Sequence, residues 1–265
     1  MRDERVRKFL RWGATPIILA VFFGVWQFWV KVFHVNELIL PAPSEIFVSL
    51  VKALGTAGMW HDAQVTATEA VSGFLIALVV GVIAGVILGK APLLEMSVRP
   101  LVVASQVVPK VALIPLFVIW FGFGMESKII ISALMGFFPI MLNVQLGVRS
   151  VDPGQRDVMR SLNASKWQTF RHLELKSTLP YVFAGMEVGI VFSVIGAIVG
   201  EYLGGSVGLG YQIVSTLNQL NAPALFAVII LLSALGLVLY FLVGLLKRIS
   251  IPWHESVIGL KDQGM

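Results

Sequence analysis

No charged side chain occurs between Tyr202 and Leu246, and shorter uncharged runs occupy residues 13–30, 70–89 and 129–148. Such runs fix the solvent before they fix the fold. Lipid offers no water to backbone amides, so a long apolar segment satisfies them internally as helix, and a hydrocarbon layer about 30 Å thick takes roughly 20 residues. Six segments meet that length: residues 13–30, 70–89, 101–125, 129–148, 179–203 and 222–246. The third contains Lys110 and lies among Pro100, Pro109 and Pro115, which leaves its start open by several residues; the fifth carries Glu187 and Glu201. Composition agrees: 57% of the 265 residues are hydrophobic and 13% charged, against about a quarter charged in a soluble domain. A water-soluble globule is excluded. The chain has no cysteine, and His34, His61, His172 and His254 show no helical metal spacing, which removes thiolate metal sites and cysteine nucleophiles and gives no basis for a metal enzyme.

Basic residues assign the two sides. Arg2, Arg5, Arg7, Lys8 and Arg11 precede the first span, and Lys90 and Arg99 lie in the second loop. Arg149, Arg156, Arg160, Lys166, Arg171 and Lys176 lie in the fourth loop, and Lys247, Arg248 and Lys261 follow the last span. These sixteen stand against Lys31, Lys52 and Lys128 in the alternate loops, which predicts both termini in the cytoplasm. The fold class expected is an all-α membrane protein of six transmembrane helices. Residues 1–12 form a cytoplasmic segment, 13–246 the transmembrane domain with a cytoplasmic loop at 149–178, and 247–265 a cytoplasmic tail. The first span has a basic start like a signal peptide, but no small-residue cleavage site follows in residues 25–35, so it is expected to remain as an anchor.

Glycines predict how the spans pack. Gly81, Gly85 and Gly89 share one face of the second span, and Gly185, Gly189, Gly196, Gly200 and Gly204 recur along the fifth, which lets helix backbones approach closely. Two catalytic patterns fail on context. Gly204, Ser206 and Gly208 satisfy G-x-S-x-G but follow a membrane helix instead of a strand, and Gly89 with Lys90 lacks the first glycine and the hydroxyl of a phosphate loop. The segment 204–210 reads instead as an outer loop needing small residues.

The loop 149–178 is the informative one. Asp152, Pro153 and Gln155 read as a helix start, Asn163 as a left-handed stop, and Ser165 with Gln168 as a capping box opening a second short helix. The two helices present Met159, Leu162, Trp167 and Phe170 with Arg160 and Lys166 at their rim. A solvated connector has no use for exposed aromatic residues, so a protein-docking surface is expected.

Here a family resemblance enters. Asp157, Val158, Met159, Asn163, Leu173, Leu175 and Lys176 fill, partly conservatively, the pattern of the EAA loop of bacterial ABC importer permeases, with Lys176 where that pattern has proline. The text at 160–170, 179–185, 200–201 and 208–211, with 41–43, 112–117 and 120–122, resembles the nitrate, taurine and alkanesulfonate branch. The stretches 108–112 and 121–124 are similar to carriers of thiamine pyrimidine precursors and flavins. The resemblance runs from about residue 40 to 246 and implies a type I importer permease fold in the bacterial inner membrane. It also implies a second permease copy, two cytosolic ATPases that bind ATP and Mg, an extracytoplasmic solute-binding protein, and no cofactor or hydrolytic activity on this chain. Asp157, Met159, Arg160, Leu162, Asn163, Lys166, Trp167 and Phe170 are then the ATPase-docking residues. Gln106, Lys110, Asn143 and Glu187 are pathway candidates, because a charge near the midplane needs a partner or a wet cavity; Lys110 and Glu187 are expected to pair with each other or to flank the route, the alternative being that the third span begins near Val107 and Lys110 snorkels to the cytoplasmic headgroups. The alternative class is an ion-coupled secondary transporter, which wants inverted repeats and intramembrane acids.

Overall fold

The computed structural model describes residues 14–254, so the basic residues before the first span, Lys261 and most of the proposed tail lie outside it. Every described element is a helix or a helical turn: α1 (Ala14–Val32), α2 (Pro43–Leu54), α3 (Ala57–Lys90), α4 (Pro92–Val107), a 3-10 turn (Lys110–Leu113), α5 (Ile114–Phe121), α6 (Met125–Arg149), α7 (Pro153–Ser161), α8 (Lys166–Thr169), a π turn (Phe170–Glu174), α9 (Leu175–Gly204), α10 (Leu209–Asn218) and α11 (Ala222–Ser250). Four helical stretches are long and apolar enough to cross a membrane: α3, α6, the continuous run Lys166–Gly204, and α11. A bent pair, α4 with the 3-10 turn and α5, makes a fifth if counted as one span, and the apolar part of α1, Pro16–Val32, is shorter.

The described residues fall into two compact units. One takes in those up to His61 with Gln212–Leu231. In it α1 and α2 are tied by Gln27, which donates to Ser44 Oγ at 3.1 Å, and by Lys31 Nζ, 2.7 Å from Glu45 Oε1. Glu45 also accepts from the Ala42 amide at 3.0 Å, closing the start of α2, where Pro43 needs no amide partner. The Lys31 ammonium, then the Ala42 amide, hold the Glu45 carboxyl below its ordinary range.

The second unit takes in Asp62–Tyr211 and the described residues from Leu232 on. Here α6 is gripped on two sides by the glycine faces read from sequence. A Cβ at Gly81 would lie 2.9 Å from Ile140 Cγ2, at Gly85 2.7 Å from Val144 Cβ, and at Gly89 2.7 Å from Val148 Cβ. From α9, Gly189 and Gly196 would meet Ile140 Cγ1 and Ser132 Cα, each at 2.7 Å. Lipid supplies no hydrophobic drive between helices, so this backbone approach and the dispersion it permits replace it. Ser132 and Ser193 add reciprocal bonds, each hydroxyl donating to the other's carbonyl at 2.9 and 3.2 Å. Phe74, Ile140, Val144, Phe183 and Ile190 form the core of the seam.

Two helices run beyond the apolar segments read from sequence, and one segment needs correction. The helix that holds residues 70–89 reaches back to Ala57 and carries Asp62 and Glu69 as buried groups. The helix that holds residues 179–203 runs unbroken from Lys166, through Lys176 where the family pattern has proline. The third, 101–125, is not one helix. Pro109 removes a donor and disfavours the helical conformation of Val108 before it, so α4 stops at Val107 and the chain resumes bent by 82°.

Candidate functional site

The loop between α6 and α9 forms as its capping residues predict. Asp152 Oδ1 accepts from the amides of Gly154 and Gln155 at 2.6 and 3.2 Å, and α7 follows. Asn163 takes φ 49°, the left-handed stop. Ser165 Oγ accepts from the Gln168 amide at 3.2 Å while Gln168 Oε1 accepts from the Ser165 amide at 2.7 Å, closing the box. Caps at both turns fix the corner, and the side chains on it stay open: Leu162 is 72% and Trp167 66% exposed. Met159 and Phe170 are half-buried, with the Phe170 ring 5.6 Å from that of Trp167. Asp157 pairs with Arg160 at 3.1 Å, and Lys166 is exposed. All eight docking candidates therefore lie on one corner or its supports.

Sequence reasoning missed what holds this corner to the helices. Glu174, the last residue of the π turn, receives Lys90 Nζ at 2.7 Å on one oxygen and faces Arg156 at 3.8 Å with the other. Lys90 also lies 5.6 Å over the Phe170 ring. The end of α3 is thereby tied to α7 and to the turn under α8. Beside it Arg149 donates to the Leu88 carbonyl at 3.2 Å and faces Glu95 at 3.5 Å. The available signal was an acidic residue within a strongly basic loop.

The pathway candidates divide. Gln106 and Lys110 come together at the α4–α5 break, lining a cavity of about 360 Å³ with Met135, Phe138, Pro139 and Phe192 among its walls. Lys110 Nζ sits 5.0 Å over the Phe138 ring. Asn143 lies elsewhere, its amide donating to the Pro139 carbonyl at 2.8 Å and its Cβ against Gly185. Glu187 does not pair with Lys110; its partner is Lys247 on α11, with Nζ 3.1 and 3.2 Å from the two oxygens. Sequence order hid this pair, because α11 continues past Leu246 to Ser250 and brings Lys247 back beside α9.

A second charged cluster was also missed. Glu201, fully buried near the end of α9, accepts from Thr66 Oγ1 at 2.7 Å and from the Gly210 amide at 2.6 Å. Thr66 accepts from the Leu209 amide at 2.9 Å, and Asp62 from that of Gly208 at 3.0 Å. Three successive amides that follow α9 are thus held by α3 and α9. Gly208 has φ 106° and its missing Cβ would strike the Glu201 carboxylate, so both conformation and space demand glycine there. Glu69 lies in the same interior with Lys128 Nζ 3.9 Å from its Oε1.

Apolar spans, a broken helix at a cavity and a capped, exposed corner define a membrane transport permease. Residues 77–249 match the family described as binding-protein-dependent transport system inner membrane component, and the chain belongs to it. It is a multi-pass inner-membrane permease subunit of a bacterial ABC transporter, and not an enzyme. It is 34% identical over 258 residues to the riboflavin transport system permease protein of Chloroflexus aurantiacus, covering 96% of each chain. It is 33% identical to the formylaminopyrimidine transport permease protein of Halalkalibacterium halodurans, over 82% of this chain and 87% of that one. With the putative aliphatic sulfonates transport permease protein of Bacillus subtilis it shares 29% identity over 98% and 94% of the two chains.

Proposed function

We propose that the chain lines the translocation pathway of an ATP-driven importer and carries a small polar or anionic solute inward from an extracytoplasmic solute-binding protein. Two permease copies form a homodimer, and two cytosolic ATPase subunits bind ATP and Mg, while this chain holds no cofactor. Each copy crosses the membrane six times with both termini cytoplasmic. The solute is of the sulfonate, taurine or nitrate kind, or of the thiamine-pyrimidine or flavin kind, the two groups for which its relatives are named.

The observation that carries this reading is the α7–α8 corner. Leu162 and Trp167 stand open to solvent on a rigid, doubly capped turn, with Arg160 and Lys166 at the rim. An exposed aromatic anchor on a fixed support fits a groove in a folded partner. Copurification with the ATPase tests it. Trp167→Ala combined with Leu162→Ala should abolish ATPase association, by about 2 kcal/mol or more for the aromatic anchor alone, while the permease still inserts. A complex that survives both substitutions removes the docking assignment.

A further inference from the structure

The cavity at the α4–α5 break has a chemistry narrower than that reading requires. Among the described residues its only charged lining residue is Lys110, and no carboxylate lines it. Lys110 has no acidic partner among the described residues and rests on the face of Phe138. A half-buried ammonium held only by a ring is a contact that an anionic or carbonyl oxygen can displace. Gln106 engages only its Nε2, in a long 3.4 Å contact to the Val102 carbonyl, which leaves its own carbonyl as an acceptor. The remaining walls include two phenyl rings, Phe138 and Phe192, and the thioether of Met135.

We propose, on the basis of the importer reading, that this cavity takes a planar aromatic heterocycle with one carbonyl- or anion-bearing edge. The edge lies on Lys110, a ring N–H donates to Gln106, and the ring packs against Phe138, Phe192 and Met135, where aromatic and thioether contacts favour a flat partner. The volume of about 360 Å³ suits one to three fused rings and is far more than a small oxyanion fills. An alkanesulfonate satisfies Lys110 but offers the Gln106 carbonyl no donor.

The test is direct binding to the purified full-length permease with its ATPase, using lumiflavin fluorescence as the probe and hexanesulfonate and nitrate as competitors. Lumiflavin should bind saturably, weaken at least about tenfold in Lys110→Ala and in Phe138→Ala, and stay within about threefold in Phe138→Tyr, which keeps the ring. Gln106→Leu should weaken lumiflavin without altering the thermal midpoint. Absence of lumiflavin binding, binding indifferent to Lys110→Ala, or displacement by hexanesulfonate or nitrate at concentrations as low as those of lumiflavin itself overturns the proposal. ATP hydrolysis by the same preparation keeps the two readings apart. An active complex without lumiflavin binding removes the heterocycle site alone, whereas a permease that binds lumiflavin but recruits no ATPase removes the importer reading.

Discussion

Lys128 is 5% exposed and Glu69 and Glu201 are fully buried, so one ammonium serves two carboxyls inside the helix bundle. Removing one member of a buried ionic set leaves the others uncompensated, at a cost of about 3–5 kcal/mol. Lys128→Met should therefore lower the thermal midpoint severely, while Glu69→Gln, which leaves one acid for one base, should be nearly neutral; equal losses in a thermal scan in detergent would contradict this charge count. A second expectation concerns Gly85, where a Cβ would lie 2.6 Å from the Met141 carbonyl oxygen and 2.7 Å from Val144 Cβ. Gly85→Val should destabilise the seam by about 1–3 kcal/mol as overpacking does, read as loss of folded protein on size exclusion, whereas Gly24→Val, with nothing near its Cβ, should not. Gly81, Gly85 and Gly89 were legible because one helical face repeats every three or four residues. Glu69, Thr66 and Glu201 were not, because their partners lie 59 to 135 residues away in the chain and nothing local announces them.

At the scale of elements, the α7–α8 corner was readable almost residue by residue, since caps act over three positions and leave their signature in the sequence. Its attachment was not readable. Glu174 meets Lys90 across 84 residues, and the helix runs from Lys166 into α9 without a break. The third span also escaped sequence reading, because hydropathy is blind to the bend that Pro109 introduces. The Glu174 attachment makes a specific expectation. Glu174→Lys should leave ATPase association intact and raise hydrolysis that is not matched by uptake, and combining it with Lys90→Glu should restore at least half of the coupling. Exposed pairs contribute little to stability, so the ratio of solute moved to ATP hydrolysed, and not the melting point, is the quantity to measure. A ratio unchanged in the single variant would leave Glu174 as a surface contact only.

For the molecule as a whole, sidedness is the first quantity to fix. The chain has no cysteine, so single cysteines report without background. An impermeant thiol reagent added outside should label positions 52, 126 and 218 and spare 90 and 160; labelling of 160 from outside would reverse the topology. Position 126 serves the outer end of α6, because Lys128 beside it is buried and out of reach of any reagent. The unbroken helix Lys166–Gly204 gives a different kind of consequence. Its contact with Ile140 through Gly189 sits partway along its length, about 35 Å from the Lys166 end and about 23 Å from the Gly204 end at a rise of 1.5 Å per residue. α6 grips the helix along a seam from Gly185 to Gly200, and a rod gripped along its middle and pushed at one end pivots about that grip. A tilt imposed by the ATPases at the corner would swing Glu201 and the loop it anchors in the opposite sense, with a smaller amplitude. Spin labels at 168 and 202, each measured against a reference on α6, should move in opposite directions when ATP is added. Movement in the same direction would mean that the helix slides like a piston and that the glycine seam is a track instead of a fulcrum.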